Sequence, residues 1–169
     1  MTELTATAML RADRTPSVLV VDDETEQLQR LVQALQARGY DCEGAGSADE
    51  AIQCLETSSY SLVLLDPCIP QSAGSPDLPA QDFGLRVYDK VIELNGTRNR
   101  STRVAIVTAT VLPEVEEVWK RLPGVWSFFR KWEHVWAVPD FQVRPAFLRR
   151  VGRLLEELRS RDHPASSDH

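Results

Sequence analysis

Three runs of four apolar residues divide the chain: Val18-Leu19-Val20-Val21, Leu62-Val63-Leu64-Leu65 and Val104-Ala105-Ile106-Val107. Runs that do not alternate apolar with polar suit strands buried on both faces. Between them the spacing changes. Leu28, Leu31, Val32 and Leu35 fall at i, i+3, i+4 and i+7, which predicts an amphipathic helix that Gly39 closes as a C′ residue. Residues 40–44 read as a short second strand. Ser47-Ala48-Asp49-Glu50 has the form of a capping box, opening a helix with Ala51, Ile52 and Leu55 on its apolar face. Residues 67–81, rich in Pro, Gly and Ser, read as a loop. Asp82 is placed to cap a third helix running to about Leu94, and residues 95–100 read as a polar turn. Pro113 suits the first turn of a fourth helix carrying Val115, Val118, Trp119 and Leu122. Val125 to Phe129 reads as a fifth strand, and Phe147, Val151, Leu154 and Leu158 mark a last helix. Strand followed by helix, five times, predicts an α/β fold with a doubly wound, five-stranded parallel sheet. Residues 1–15 read as a flexible leader, 16–160 as one domain and 161–169 as a polar tail.

Composition narrows the classes of function. A formal net charge of −6 argues against non-specific nucleic-acid binding as the main task. The cysteines, Cys42, Cys54 and Cys68, form no CxxC pair, and His134, His163 and His169 have no ligand spacing, so a zinc site is not expected. A reducing cytoplasm suits such cysteines, and no apolar run reaches the length of a membrane span. The four tryptophans, Trp119, Trp126, Trp132 and Trp136, fall in one short stretch, either packing an enlarged loop or forming an interface. Arg144, Arg149, Arg150, Arg153, Arg159 and Arg161 make the last helix basic.

Ligands of open parallel sheets bind beyond the carboxyl ends of the strands. The first strand ends in Asp22-Asp23, the third in Asp66 and the fourth in Thr108, and the fifth is followed by Lys131. Three carboxylates gathered there need a cation, and oxygen ligands of this number suit Mg²⁺. A carboxylate can attack phosphorus to give an aspartyl phosphate, and an ammonium and a hydroxyl can hold the phosphoryl oxygens. Separately, Asp22-Asp23 could be a helix cap, Asp66 a strand-end turn residue and Lys131 a solvated charge.

Together, the segments VLVVDDE, VLLDPCIP, IVTAT and FFRK, in this order and each at its strand end, resemble the receiver domain of two-component response regulators. The resemblance covers residues 16–160. It implies that Asp66 is the phosphoacceptor and that Asp22, Asp23, Asp66 and the backbone carbonyl of Cys68 hold Mg²⁺. It further implies that Thr108 and Lys131 bind the phosphoryl group and that Phe128 is the aromatic switch that turns inward as Thr108 moves. Such a domain catalyses its own phosphorylation and slow autodephosphorylation. Its donor is a sensor histidine kinase or phosphotransfer protein. Its output is by protein contacts of the face made by the fourth helix, fifth strand and last helix, a second copy of the chain included. A free-standing domain is expected, with no direct nucleic-acid or membrane partner. Trp132 stands where the family usually has a proline that follows a cis bond, and a non-proline cis bond costs about 2.5–4 kcal/mol, so a trans bond or a reshaped loop is expected, which bears on the aim of Lys131. Two segments are longer than the family's usual ones: QSAGSPDLPAQ, which precedes the glycine matched at Gly84, and WEHVWAVPDFQVRP. These departures keep a second reading open, a pseudo-receiver serving as a constitutive interaction module. A phosphohydrolase with an aspartyl nucleophile is a third; that class resembles D-x-D, and Cys68 stands where its second acid belongs.

Overall fold

A computed structural model describes residues 15–75, 79–110 and 112–162. The predicted leader, apart from Thr15, and the tail from residue 163 lie outside the described residues. In chain order the elements are β1 (Ser17–Val21), α1 (Thr25–Gln36), β2 (Asp41–Ala45), α2 (Ala48–Thr57), β3 (Leu62–Leu65), α3 (Gln81–Thr97), β4 (Arg103–Thr108), α4 (Pro113–Arg121) and β5 (Val125–Arg130). A π-helical turn (Lys131–Val135), the two-residue strands β6 (Trp136–Ala137) and β7 (Gln142–Val143), and α5 (Pro145–Asp162) complete them. β1 to β5 form one parallel sheet in the order β2-β1-β3-β4-β5, and β6 and β7 form a small antiparallel hairpin.

The apolar runs explain the layers. On β1, β3 and β4 successive side chains point to opposite faces. Val18, Val20, Leu62, Leu64, Ala105 and Val107 join α1 and α5 in one core. Leu19, Val21, Val63, Leu65, Val104 and Ile106 join α2, α3 and α4 in the other. β2 departs from the apolar pattern: only Cys42 and Ala45 of its five residues are buried, as befits an edge strand. β5, the opposite edge, is half-buried except for Phe129.

Several boundaries move for local reasons. Gly39, at φ +88°, lies two residues past the C-cap Ala37 rather than one, because α1 ends at Gln36 and a further turn intervenes. Ser47 Oγ accepts from the Glu50 amide, but the Glu50 carboxylate accepts from the Gly46 amide, one residue before the usual capping-box partner. Asp82 does not cap α3. The chain enters that helix earlier, with Ala80 as N-cap, because the Ala80 amide is held by the Ile69 carbonyl at 3.0 Å. Asp82 therefore sits in the first turn, where a carboxylate meets the positive end of the helix dipole. α3 also runs on to Thr97 instead of stopping near Leu94. The Asn95 side chain donates to the Thr102 carbonyl and accepts from the Thr102 amide, so residues expected in a turn are braced within the helix. On α4, Trp119 is buried as the spacing predicts, but Val118 faces solvent.

The tryptophans are not one cluster. Trp119 packs among α2, α3 and α4, edge-on to Tyr88. Trp136 packs among α1 and α5, and Trp132 lies edge-on to Phe141 of the hairpin. Trp126 has the guanidiniums of Arg103 and Arg161 over its ring, at 5.7 and 5.2 Å.

Candidate functional site

The register of the sheet brings the site together. Val21 pairs with Leu65, so Asp22 and Asp66 leave adjacent strands side by side, and the Asp66 amide donates to the Val21 carbonyl at 2.9 Å. Thr108 pairs with Arg130, which puts Lys131 one residue beyond the same edge. Asp22, Asp66, Thr108 and Lys131 are all buried there.

Lys131 Nζ lies 2.7 Å from Asp22 Oδ2 and 2.8 Å from Asp66 Oδ2, bridging the two carboxylates. The remaining oxygens are also engaged: Asp66 Oδ1 accepts from the Cys68 amide at 3.1 Å and Asp22 Oδ1 from the Glu24 amide at 3.0 Å. Asp23 completes the group, and one carboxylate oxygen from each of Asp22, Asp23 and Asp66 lies within 4.8 Å of the others. Three carboxylates against one ammonium leave two negative charges uncompensated. That donor set, hard oxygens with a double negative excess, fits a divalent oxygen-seeking cation such as Mg²⁺.

The electrostatics follow from burial. Desolvation pushes the Asp66 carboxyl up to about 6, against the lowering pull of Lys131. Asp23 is raised by burial and by the Asp22 charge beside it. At Lys131 burial works against the charge, but Asp66 and Asp22 outweigh it and hold the ammonium above its ordinary value. Lys131 thus stays charged, and Asp66 is the member that bears the cost of desolvation.

The surroundings are built to keep this edge in place. A Cβ on Gly84 would come 2.2 Å from the Pro67 carbonyl oxygen, so α3 packs backbone to backbone against the residue after Asp66. The long loop beyond is tied down by amides of α2: Ala48 donates to Pro70 and Asp49 to Gln71. The Cys68 thiol, raised by burial and the Asp66 charge, faces the Pro79 carbonyl at 3.7 Å. Thr108 Oγ1 accepts from the Thr110 amide at 3.1 Å. Phe128 stands apart from the carboxylates, packed on the α2–α4 side with Lys120 Nζ 5.9 Å above its ring.

The bond from Lys131 to Trp132 is trans, and among the described residues the cis bond is at Val138–Pro139. Lys131 nevertheless reaches both carboxylates, because the chain leaves β5 in the π-helical turn. Two contributors had no clear signal in the sequence. His134, set aside for lack of ligand spacing, accepts from the Arg130 amide through Nδ1 at 2.9 Å. The antiparallel bridge between Ile69 and Ala80 closes the long loop, joining residues too far apart in sequence for periodicity to link.

A five-stranded parallel sheet with a lysine-bridged acidic pocket at its carboxyl edge is the build of a signalling receiver. The chain belongs to the response regulator receiver domain family, whose model matches residues 18–120. Escherichia coli (strain K12) transcriptional regulatory protein BasR is 44% identical over 57 residues, 34% of this chain and 26% of that protein. Pectobacterium parmentieri transcriptional regulatory protein PmrA is 39% identical over 57 residues, again 34% and 26%. The matched part is thus about a quarter of the length of these relatives. Among solved structures, the CheY-like response regulator receiver domain protein of Methanospirillum hungatei JF-1 superposes with a TM-score of 0.61 at 20% identity, covering 89% of this chain and 98% of that one. Response regulator protein TrrA of Thermotoga maritima, solved in complex with Mg(2+)-BeF, gives 0.53 at 20% identity, covering 85% and 99%. At such identity the likeness is one of fold. The family match ends within α4, short of β5 and Lys131.

Proposed function

We propose that the protein is a phosphorylation-dependent switch in which Asp66 accepts a phosphoryl group from a sensor histidine kinase or phosphotransfer protein. The observation that carries this reading is the buried Asp66–Lys131–Asp22 bridge beside Asp23. An Asp66 carboxylate oxygen bonds to phosphorus as the donor's bond to phosphorus breaks, and the donor leaves with the electron pair of that bond. Lys131 and the Thr108 O–H take the phosphoryl oxygens, which draws both away from their resting partners. Asp22, Asp23, Asp66 and the Cys68 carbonyl would hold Mg²⁺, which supplies positive charge at the transferring group. The Mg(2+)-BeF complex of TrrA supports that choice of cation by analogy of fold.

Output, in this reading, passes through protein contacts of the α4–β5–α5 face. Phe128 and the groove lined by Trp126, Arg150, Arg153 and Arg161 belong to that face. The switch acts in the cytoplasm, and no described helix is long and apolar enough to cross a membrane. Binding of beryllium fluoride in the presence of Mg²⁺, followed by tryptophan fluorescence, separates this function from a constitutive interaction module. A saturable change lost in Asp66→Asn supports the switch; no change with the folded protein contradicts it.

A further inference from the structure

We propose that His134 is a positioning residue for phosphoryl transfer: its neutral imidazole, as acceptor for the Arg130 amide, holds the turn that aims Lys131. The inference rests on the reading of Asp66 as phosphoacceptor and adds what keeps its ammonium partner in place.

Lys131 opens the π-helical turn, and the backbone is tied on both sides of it. After it, the Lys131 carbonyl accepts from the Trp136 amide. Before it, the Arg130 amide donates to His134 Nδ1 at 2.9 Å. β5 is an edge strand, so this amide faces away from β4 and a side chain from the turn itself serves as its partner. The chain has Trp132 after the lysine, and the bond between them is trans. No ring constraint follows Lys131, and these two hydrogen bonds restrain the backbone that carries it. The next residues are anchored independently: the Arg144 amide donates to Val135 O and Arg144 Nε to Trp136 O, both at 2.8 Å. His134 therefore closes the start of the turn, and the hairpin holds its end.

The hydrogen bond fixes the tautomer. Nδ1 accepts, so the proton of the neutral ring is on Nε2, which faces Glu133 Oε1 at 3.8 Å. A doubly protonated ring would set an N–H against the Arg130 N–H, so the charged form cannot keep this turn. Glu133, beside the ring, also pairs with Arg130 at 3.3 Å, and Arg130 pairs in turn with Glu116 of α4 at 2.7 Å. The guanidinium of Arg150 stands 6.0 Å over Phe129, the ring that His134 meets edge-on.

The test compares rates of phosphorylation by a small acyl phosphate with Mg²⁺ in wild type, His134→Asn and His134→Leu. An Asn Oδ1 can stand where Nδ1 stands and accept the same amide, whereas Leu fills the space and cannot accept. The expected result is a loss of about five- to tenfold in His134→Leu, the scale of one hydrogen bond, with Mg²⁺ affinity unchanged. His134→Asn keeps the rate within about twofold. Equal rates in wild type and His134→Leu, or a loss in His134→Asn as large as that in His134→Leu, overturn the role of His134. Wild type that accepts no phosphoryl group overturns the reading of Asp66 instead.

Discussion

Asp66 is held in a state that is costly without a ligand. Its carboxyl is raised to about 6, chiefly by burial, from an unfolded value near 4. The sign follows from linkage. A carboxylate with a raised folded pKa contributes stability that is present below the unfolded value and is lost as pH rises through the folded one. Asp66→Asn should therefore unfold like wild type near pH 4 and be more stable than it at pH 8, by about 3 kcal/mol on the scale of the shift. Urea titrations of both proteins at the two pH values check this. The same shift predicts that Mg²⁺ affinity falls as pH drops through about 6, with protons released on binding, which calorimetry in buffers of different ionisation enthalpy would register. Lys131→Met should act the other way on stability. It leaves Asp22 and Asp66 facing each other without their shared cation, at about 3 kcal/mol in apo protein at neutral pH, and added Mg²⁺ should recover much of the loss.

At the scale of elements, the strands were legible and the connections were not. Val18–Val21, Leu62–Leu65 and Val104–Val107 announce themselves because strands buried on both faces need no polar positions. Asp22, Asp66, Thr108 and Lys131 could be placed at one edge because strand ends are points of register. The limits of α3 were not legible, because Ala80 and Asn95 are fixed by Ile69 and Thr102, contacts no local pattern encodes. Nor was the π-helical turn: with Trp132 after Lys131, a side-chain bond from His134 shapes the backbone there. Gly84 was visible only as a match of residue type, and its physical reason is the Pro67 backbone against it. Gly84→Ala should force α3 off the loop beside Asp66. A loss of about 2 kcal/mol in thermal or chemical unfolding is expected, the scale of overpacking, together with a slower phosphorylation rate.

For the molecule as a whole, one sheet edge gathers the acidic pocket, and the helices and loops around it serve to hold that edge. α3 clamps the loop after Asp66, α2 pins its outer end, and the hairpin anchored on Arg144 stiffens the approach of Lys131. Membership of the receiver family gives the class of chemistry. The residues that would perform it were readable from the strand ends, while the hydrogen bond from the Arg130 amide to His134 was not. The most direct test of the central claim is the intact mass of the protein after incubation with Mg²⁺ and a small acyl phosphate. The account predicts the addition of one phosphoryl group to wild type and none to Asp66→Asn. Wild type unmodified while folded, or modified equally in Asp66→Asn, would contradict it.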